Sequence, residues 1–250
     1  MALNPIHQFI IEPQIELSAA GFDISFTNSS LWMVISAVTA VGFMMMSTGS
    51  RSLVPGRLQM ISEMMYEFIA GMIRDNIGSH GRQYFPFIFT LFMMVLMGNV
   101  LGLIPYSFTF TSHIAVTGAL AIMVFLMVTI YGFANHGLKF LSILSPPGVP
   151  FALKFLIIPI ELLSFLMRPF TLAVRLFANM MAGHMVLKIF ASFAAMAVAG
   201  MGVAGVFVGA LPVLVNVAML CLELLVAFLQ AYVFAILSCV YLKDTVDLHH

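Results

Sequence analysis

The feature that most limits this chain is uninterrupted apolar length. Segment 84–104, YFPFIFTLFMMVLMGNVLGLI, has no charged residue, and over 205–242 the only one is Glu223. A helix crosses the hydrocarbon of a bilayer with about 20 apolar residues. Five stretches meet that requirement: 31–49, 84–104, 113–138, 151–189 and 205–243. The rest of the composition agrees. Charged residues make up 8% of the chain, and mean hydropathy is +1.09. Soluble domains carry about 25% charged residues, so the expected solvent is lipid. A formal net charge of zero argues against electrostatic binding of nucleic acid. Cys221 and Cys239 are 18 residues apart in one expected helix, about 27 Å at 1.5 Å per residue, too far for a disulfide. They read as small buried apolar residues. The first 30 residues have no Lys or Arg and no long apolar run, so no cleavable secretory signal is expected. No internal repeat and no soluble domain is visible, and 1–250 reads as a single membrane domain.

Segment 55–80 behaves differently. Pro55 suits a helix start. Ile61, Met64, Met65, Phe68, Ile69, Met72 and Ile73 recur with the spacing of one apolar helix face, while Glu63, Glu67, Arg74 and Asp75 take other positions. An amphipathic helix follows, lying on the membrane surface or against partner helices, or packed on its own chain. Lys and Arg set the orientation. The N-terminal segment has neither, the first connection holds Arg51, Arg57, Arg74 and Arg82, and the connection between 104 and 113 has none. Lys139 and Lys154 follow the third span and Lys243 the last. The N-terminus is therefore expected outside and the C-terminus inside, with Lys188, near the expected end of the fourth span, the exception.

The last two helices are too long for upright spans. Segment 151–189 would measure about 58 Å at 1.5 Å per residue, against a hydrocarbon layer of about 30 Å. The expected architecture is all-α: five membrane-embedded helices plus one amphipathic surface helix, the last two long, strongly tilted and packed as a hairpin. The stretch VAGMGVAGVFVGALP supplies the reversal, and Pro159 and Pro169 permit kinks. At 100° per residue, Glu161, Ser164, Arg168 and Asn179 fall within about 40° of Arg175, one polar stripe on an apolar helix. Asn216, Glu223 and Gln230 repeat every seven residues and form a second stripe.

A charge at mid-membrane costs about 2.5–3.5 kcal/mol on insertion scales, so such residues mark pathways or sensors by default. The competing reading is an internal salt bridge, such as Arg175 with Glu223. Arg168 either snorkels to the surface or pairs with Glu161. His184 lies about 180° from Arg175 on the wheel, so the two face different surroundings. Across an antiparallel hairpin, His184 and Glu223 can meet. A carboxylate and an imidazole exchange protons near neutrality, whereas arginine holds its proton at working pH. That division suggests a proton path with a fixed positive barrier.

RLFANMMAGH (175–184) followed by ELLVAFLQAYVFAIL (223–237) resembles subunit a of F-type ATP synthase, and GNVLGLIPYSFT (98–109) and PIELLSFLMRPFTLAVRLFANM (159–180) extend the likeness along the chain. The resemblance implies a stator subunit beside a ring of c subunits, contacting peripheral-stalk b subunits and other synthase subunits in a lipid membrane. It implies two offset proton half-channels. Arg175 matches the arginine that faces the ring's acidic residue. Asn179 and Gln230 match its polar neighbours, Glu161 and Ser164 the outlet side, and His184 with Glu223 the intake pair. Many bacterial members place the acid first and the histidine second; here the two are exchanged, as in mitochondrial and related alphaproteobacterial members. A bacterial inner membrane is expected, with the mitochondrial inner membrane as the alternative. The chain has no phosphate-binding glycine-rich loop, so it is expected to be non-catalytic, without cofactor or metal. The competing function is an independent proton- or ion-coupled secondary transporter, although the duplicated broken helices common in such folds are not visible.

Overall fold

The computed structural model describes residues 9–16, 18–19, 22–23, 25–49, 55–104, 107–137, 139–140 and 151–246. The Pro/Gly break at 145–150 lies outside the described residues. Six helices carry the fold: α1 (Asn28–Thr48), α2 (Arg57–Ile77), α3 (Phe85–Gly102), α4 (Ile114–His136), α5 (Phe151–Met201) and α6 (Val203–Val246). All but α2 are long and apolar enough to cross a membrane. Lipid offers no hydrogen bonds, so polar side chains within spans bond to their own backbone. The hydroxyls of Thr39, Thr90, Thr129 and Ser238 donate to the carbonyls of Ile35, Pro86, Phe125 and Phe234, four residues back, at 2.7–2.8 Å.

Before α1 the chain forms two small antiparallel ladders that the sequence reading did not anticipate. β1 (Pro13–Ile15) pairs with β4 (Phe26–Thr27), and β2 (Ser18–Ala19) with β3 (Phe22–Asp23). Backbone pairing makes them, and their sequence has no strong strand periodicity. Thr27 Oγ1 then accepts the Ser30 amide at 3.3 Å and caps the start of α1.

The two long helices run further than expected. α5 has 51 residues and α6 has 44, separated by Gly202 alone. At 1.5 Å per residue these are about 77 and 66 Å, more than twice the hydrocarbon thickness of about 30 Å. The expected flexible stretch is instead helical to within one residue of the turn. Gly202 takes φ 57°, open to glycine at no steric cost, and its amide bonds the Val198 carbonyl at 3.1 Å. Beyond the turn the helices touch backbone to backbone. A side chain at Gly205 would strike the Ala197 carbonyl, and one at Gly209 would lie 3.2 Å from the Ala194 carbonyl. Small residues permit this approach, as in other membrane helix pairs. Lys188 consequently sits well inside α5 and not near its end.

Contacts group the chain into two units. The first comprises Met1–Ala40, Met94–His113 and Leu176–Ala231. Its interior holds Val95, Leu96, Phe110, Leu176, Met180, Ala227 and Ala231. Asn99, fully buried in α3, donates to the Ala227 carbonyl of α6 at 3.3 Å. Gly98 admits the Phe110 ring, and Gly102 admits the Thr109 side chain, so segment 107–113 folds back onto α3.

The second unit comprises Val41–Met93, Ile114–Arg175 and Tyr232–His250. Ile69, Met72, Ile73 and Ile77 of α2 are buried in it with Tyr84, Ile88, Phe92, Val124 and Phe234. Only the C-terminal half of the expected apolar face of α2 is covered. Ile61, Met64 and Phe68 are exposed, though the Phe68 ring still meets Tyr232 at 5.4 Å. Among the described residues both cysteines are free. Cys239 is buried as expected, whereas Cys221 is exposed on α6, because the side of that helix it occupies is uncovered by its own chain.

Candidate functional site

The antiparallel course of α5 and α6 decides which polar residues meet. Within the first unit, Asn179 Nδ2 donates to Gln230 Oε1 at 2.9 Å, and His184 Nδ1 lies 3.4 Å from Glu223 Oε1. Because the helices run in opposite directions, the later residue of α5, His184, meets the earlier residue of α6, Glu223, and Asn179 meets Gln230. His184 is 9% exposed and Glu223 3%. Gly183 makes room for this approach, since a methyl group there would meet Glu223 Oε1 at 2.5 Å. An acid and an imidazole this close are within reach of exchanging a proton, directly or through one water.

On its other side, His184 Nε2 lies 2.7 Å from Thr109 Oγ1. Thr109 and Ser107 both donate to the Gly102 carbonyl at the end of α3, at 3.1 and 2.9 Å. These residues border a cavity of about 850 Å³ that also touches Glu12, Asn28, Lys188 and Asn216. The N-terminal segment forms part of its wall because Asn28 clamps it. Asn28 Nδ2 donates to the Ile10 carbonyl, and the Asn28 amide bonds the Glu12 carbonyl, each at 3.1 Å. The space is large and polar enough to hold several waters. Of the buried pair, His184 forms part of the cavity lining.

Arg175 lies at the midpoint of α5 and is exposed. It makes no ion pair or hydrogen bond with any described residue. The expected alternative, a salt bridge from Arg175 to Glu223, therefore gives way to the His184–Glu223 pair. Arg168, one of the two arginines in the helix, behaves otherwise. Its guanidinium sits over the rings of Phe165 at 5.7 Å and Tyr241 at 5.1 Å, so it is held inside the second unit. Glu161 is half-buried and Ser164 exposed, both on α5 within that unit.

Sequence reasoning missed Thr109, Ser107, Glu12 and the position of Lys188. None of these stands out by charge in an apolar run or by periodicity, and only the fold-back of 107–113 and the clamp at Asn28 bring them to the cavity. Among the described residues no group of three His, Cys, Asp or Glu side chains gathers as metal ligands would.

Residues 30–243 match the family model described as ATP synthase A chain. The chain is 53% identical to the ATP synthase subunit a of Mesorhizobium japonicum over 248 residues, covering 99% of this chain and 98% of the relative. It is 54% identical over 250 residues to that of a Chelativorans species, covering all of both chains. It is 52% identical over 246 residues to that of Rhodospirillum rubrum, covering 98% and 99%. Matched in sequence along essentially its whole length, and carrying a paired acid and imidazole beside a cavity among membrane-length helices, this chain belongs to the ATP synthase subunit a family.

Proposed function

We propose that this chain, the non-catalytic proton-channel stator subunit of the ATP synthase membrane sector, works through Arg175 against a ring of c subunits. Nucleotide chemistry belongs to other subunits. A proton enters from outside by way of the cavity, His184 and Glu223. It neutralises a ring carboxylate, which then faces lipid at little cost. After nearly a full turn the carboxyl ionises toward the inside, on the side of Glu161 and Ser164. Arg175 attracts the ionised carboxylate and blocks a direct leak between the two half-channels, because its own proton does not dissociate. Asn179 and Gln230, bonded to one another, hold their part of the α5–α6 hairpin in register near this path. Each proton crossing about 100 mV releases about 2.3 kcal/mol, so several are needed per nucleotide.

One observation carries this reading. A guanidinium halfway along a membrane helix is exposed and has no acid among the described residues. At a cost of about 2.5–3.5 kcal/mol, such a charge calls for a counterpart on another chain. The Lys and Arg distribution supports an outside N-terminus and an inside C-terminus, and the bacterial relatives support a bacterial inner membrane. The exposed part of α2 suits stalk b subunits. An image of the assembled complex tests the proposal. A ring carboxylate within about 6 Å of Arg175 in at least one rotational state is expected. Lipid or a stalk helix at that position in every state overturns it.

A further inference from the structure

Three contacts around His184 constrain where its protons sit. Thr109 Oγ1 is 3.1 Å from the Gly102 carbonyl and 2.7 Å from His184 Nε2. The hydroxyl has one proton, and a carbonyl can only accept. Both contacts are hydrogen bonds only if the hydroxyl donates to Gly102 and accepts from a protonated Nε2. On the far side of the ring, Nδ1 faces Glu223 Oε1 at 3.4 Å. Neither carboxyl oxygen receives a hydrogen bond from any described group, so Nδ1 at 3.4 Å stands just short of bonding range, although Glu223 is buried.

We infer that Thr109 is a positioning residue that locks the His184 imidazole as the Nε2–H tautomer, so that proton transfer to and from Glu223 runs through Nδ1 alone. The inference rests on the proposed intake role of the His184–Glu223 pair. With Nε2 committed to Thr109, a neutral imidazole presents its lone pair to the carboxyl. The resting pair then holds one proton between Nδ1 and Oε1. A second proton arriving from the cavity leaves one on Nδ1 and one on Glu223. Departure of either toward the ring restores the resting pair. The Nε2 proton is never exchanged. Without the lock the neutral ring could take the Nδ1–H tautomer, which donates to an ionised Glu223 and leaves the free lone pair on Nε2, facing away from the carboxyl. The charged groups near the pair are Glu223 from α6, Lys188 one turn along α5, and Glu12 from the N-terminal segment across the cavity.

The test uses the intact enzyme in proteoliposomes. Proton-driven ATP synthesis is followed against intake-side pH at constant driving force. Thr109 stabilises the protonated imidazole by accepting from it. Thr109→Val should therefore shift the basic limb of the profile down by about one pH unit, the equivalent of one hydrogen bond to a charged group. Thr109→Ser, which keeps the oxygen, should retain the parent profile. An unshifted profile in the valine variant, or a uniform loss in both variants, overturns the lock. Glu223→Gln is measured alongside. If it blocks synthesis while Thr109→Val shifts nothing, the lock alone fails; if it too leaves synthesis unchanged, the intake role fails. Nitrogen-15 histidine spectra of the unmodified enzyme, with His184 identified by its loss in His184→Asn, give a reading independent of variant assembly. A protonated Nε2 and a bare Nδ1 at alkaline pH are expected, and the reverse overturns the inference.

Discussion

Two polar places on the same helix behave in opposite ways. Around His184 the chain supplies everything: a carboxyl at 3.4 Å, a hydroxyl at 2.7 Å and a cavity. Around Arg175 no described residue supplies a counter-charge. The first is a buried acid–imidazole pair, which the proposed function makes a proton relay. The second is a permanent charge, which the proposed function gives to another chain to satisfy. A fold can carry a buried titratable pair on its own, because sharing a proton removes the net charge. It cannot neutralise an arginine that way, since the guanidinium does not titrate at working pH. The contrast separates chemistry that is complete within one chain from chemistry completed by assembly.

The largest effect should come from removing the unpartnered charge. Arg175→Ala should abolish ATP-driven acidification of vesicles while soluble ATP hydrolysis continues, and normal coupled pumping would refute the role given to Arg175. Breaking the self-contained pair should be less severe. Glu223→Gln should slow proton uptake about 10²-fold, the usual scale for loss of a positioned acid or base, and unchanged flow would take Glu223 out of the path. Exchanging the partners, His184→Glu with Glu223→His, should keep partial activity; complete loss equal to the single variants would count against pairing. Gly183→Ala should push the Glu223 carboxyl away from α5 and slow uptake about tenfold, because small displacements of reacting groups are costly. A rate equal to the parent would mean the close approach is unimportant.

The smallest effect lies outside the spans. His113, stacked on Phe108 at 5.1 Å, resists protonation because burial lowers its pKa from the ordinary 6.5. The unfolded segment binds a proton below pH 6.5 that the folded segment excludes, so its stability should fall as pH drops through that range. Hydrogen exchange across 107–113, corrected for intrinsic rates, should quicken at pH 5 relative to pH 7. No change in protection would show that His113 does not report on the segment.

Apolar length made the spans legible, and helical spacing made α2 and the polar stripes of α5 and α6 legible. The meeting of His184 with Glu223 followed from an antiparallel hairpin, which the residues suggested through their lengths and the glycines between them. The burial of α2 was legible only in part. Its apolar spacing runs from Ile61 to Ile73, yet Ile61 and Met64 are exposed, since periodicity reports a face and says nothing of how much neighbour is available to cover it. The fate of Cys221 was misread for the same reason.

Taken alone, the amino-acid order determined that this chain lives in lipid, that its last two helices are overlong and that polar residues form stripes along them, because solvent transfer and helical period are local properties. Only tertiary structure decided that Glu223 turns to His184 and leaves Arg175 to the outside, and that Thr109 closes on the far nitrogen of the ring. Those outcomes depend on which backbones approach closely enough, at Gly183, Gly102 and Gly205, and close approach is a property of two segments at once.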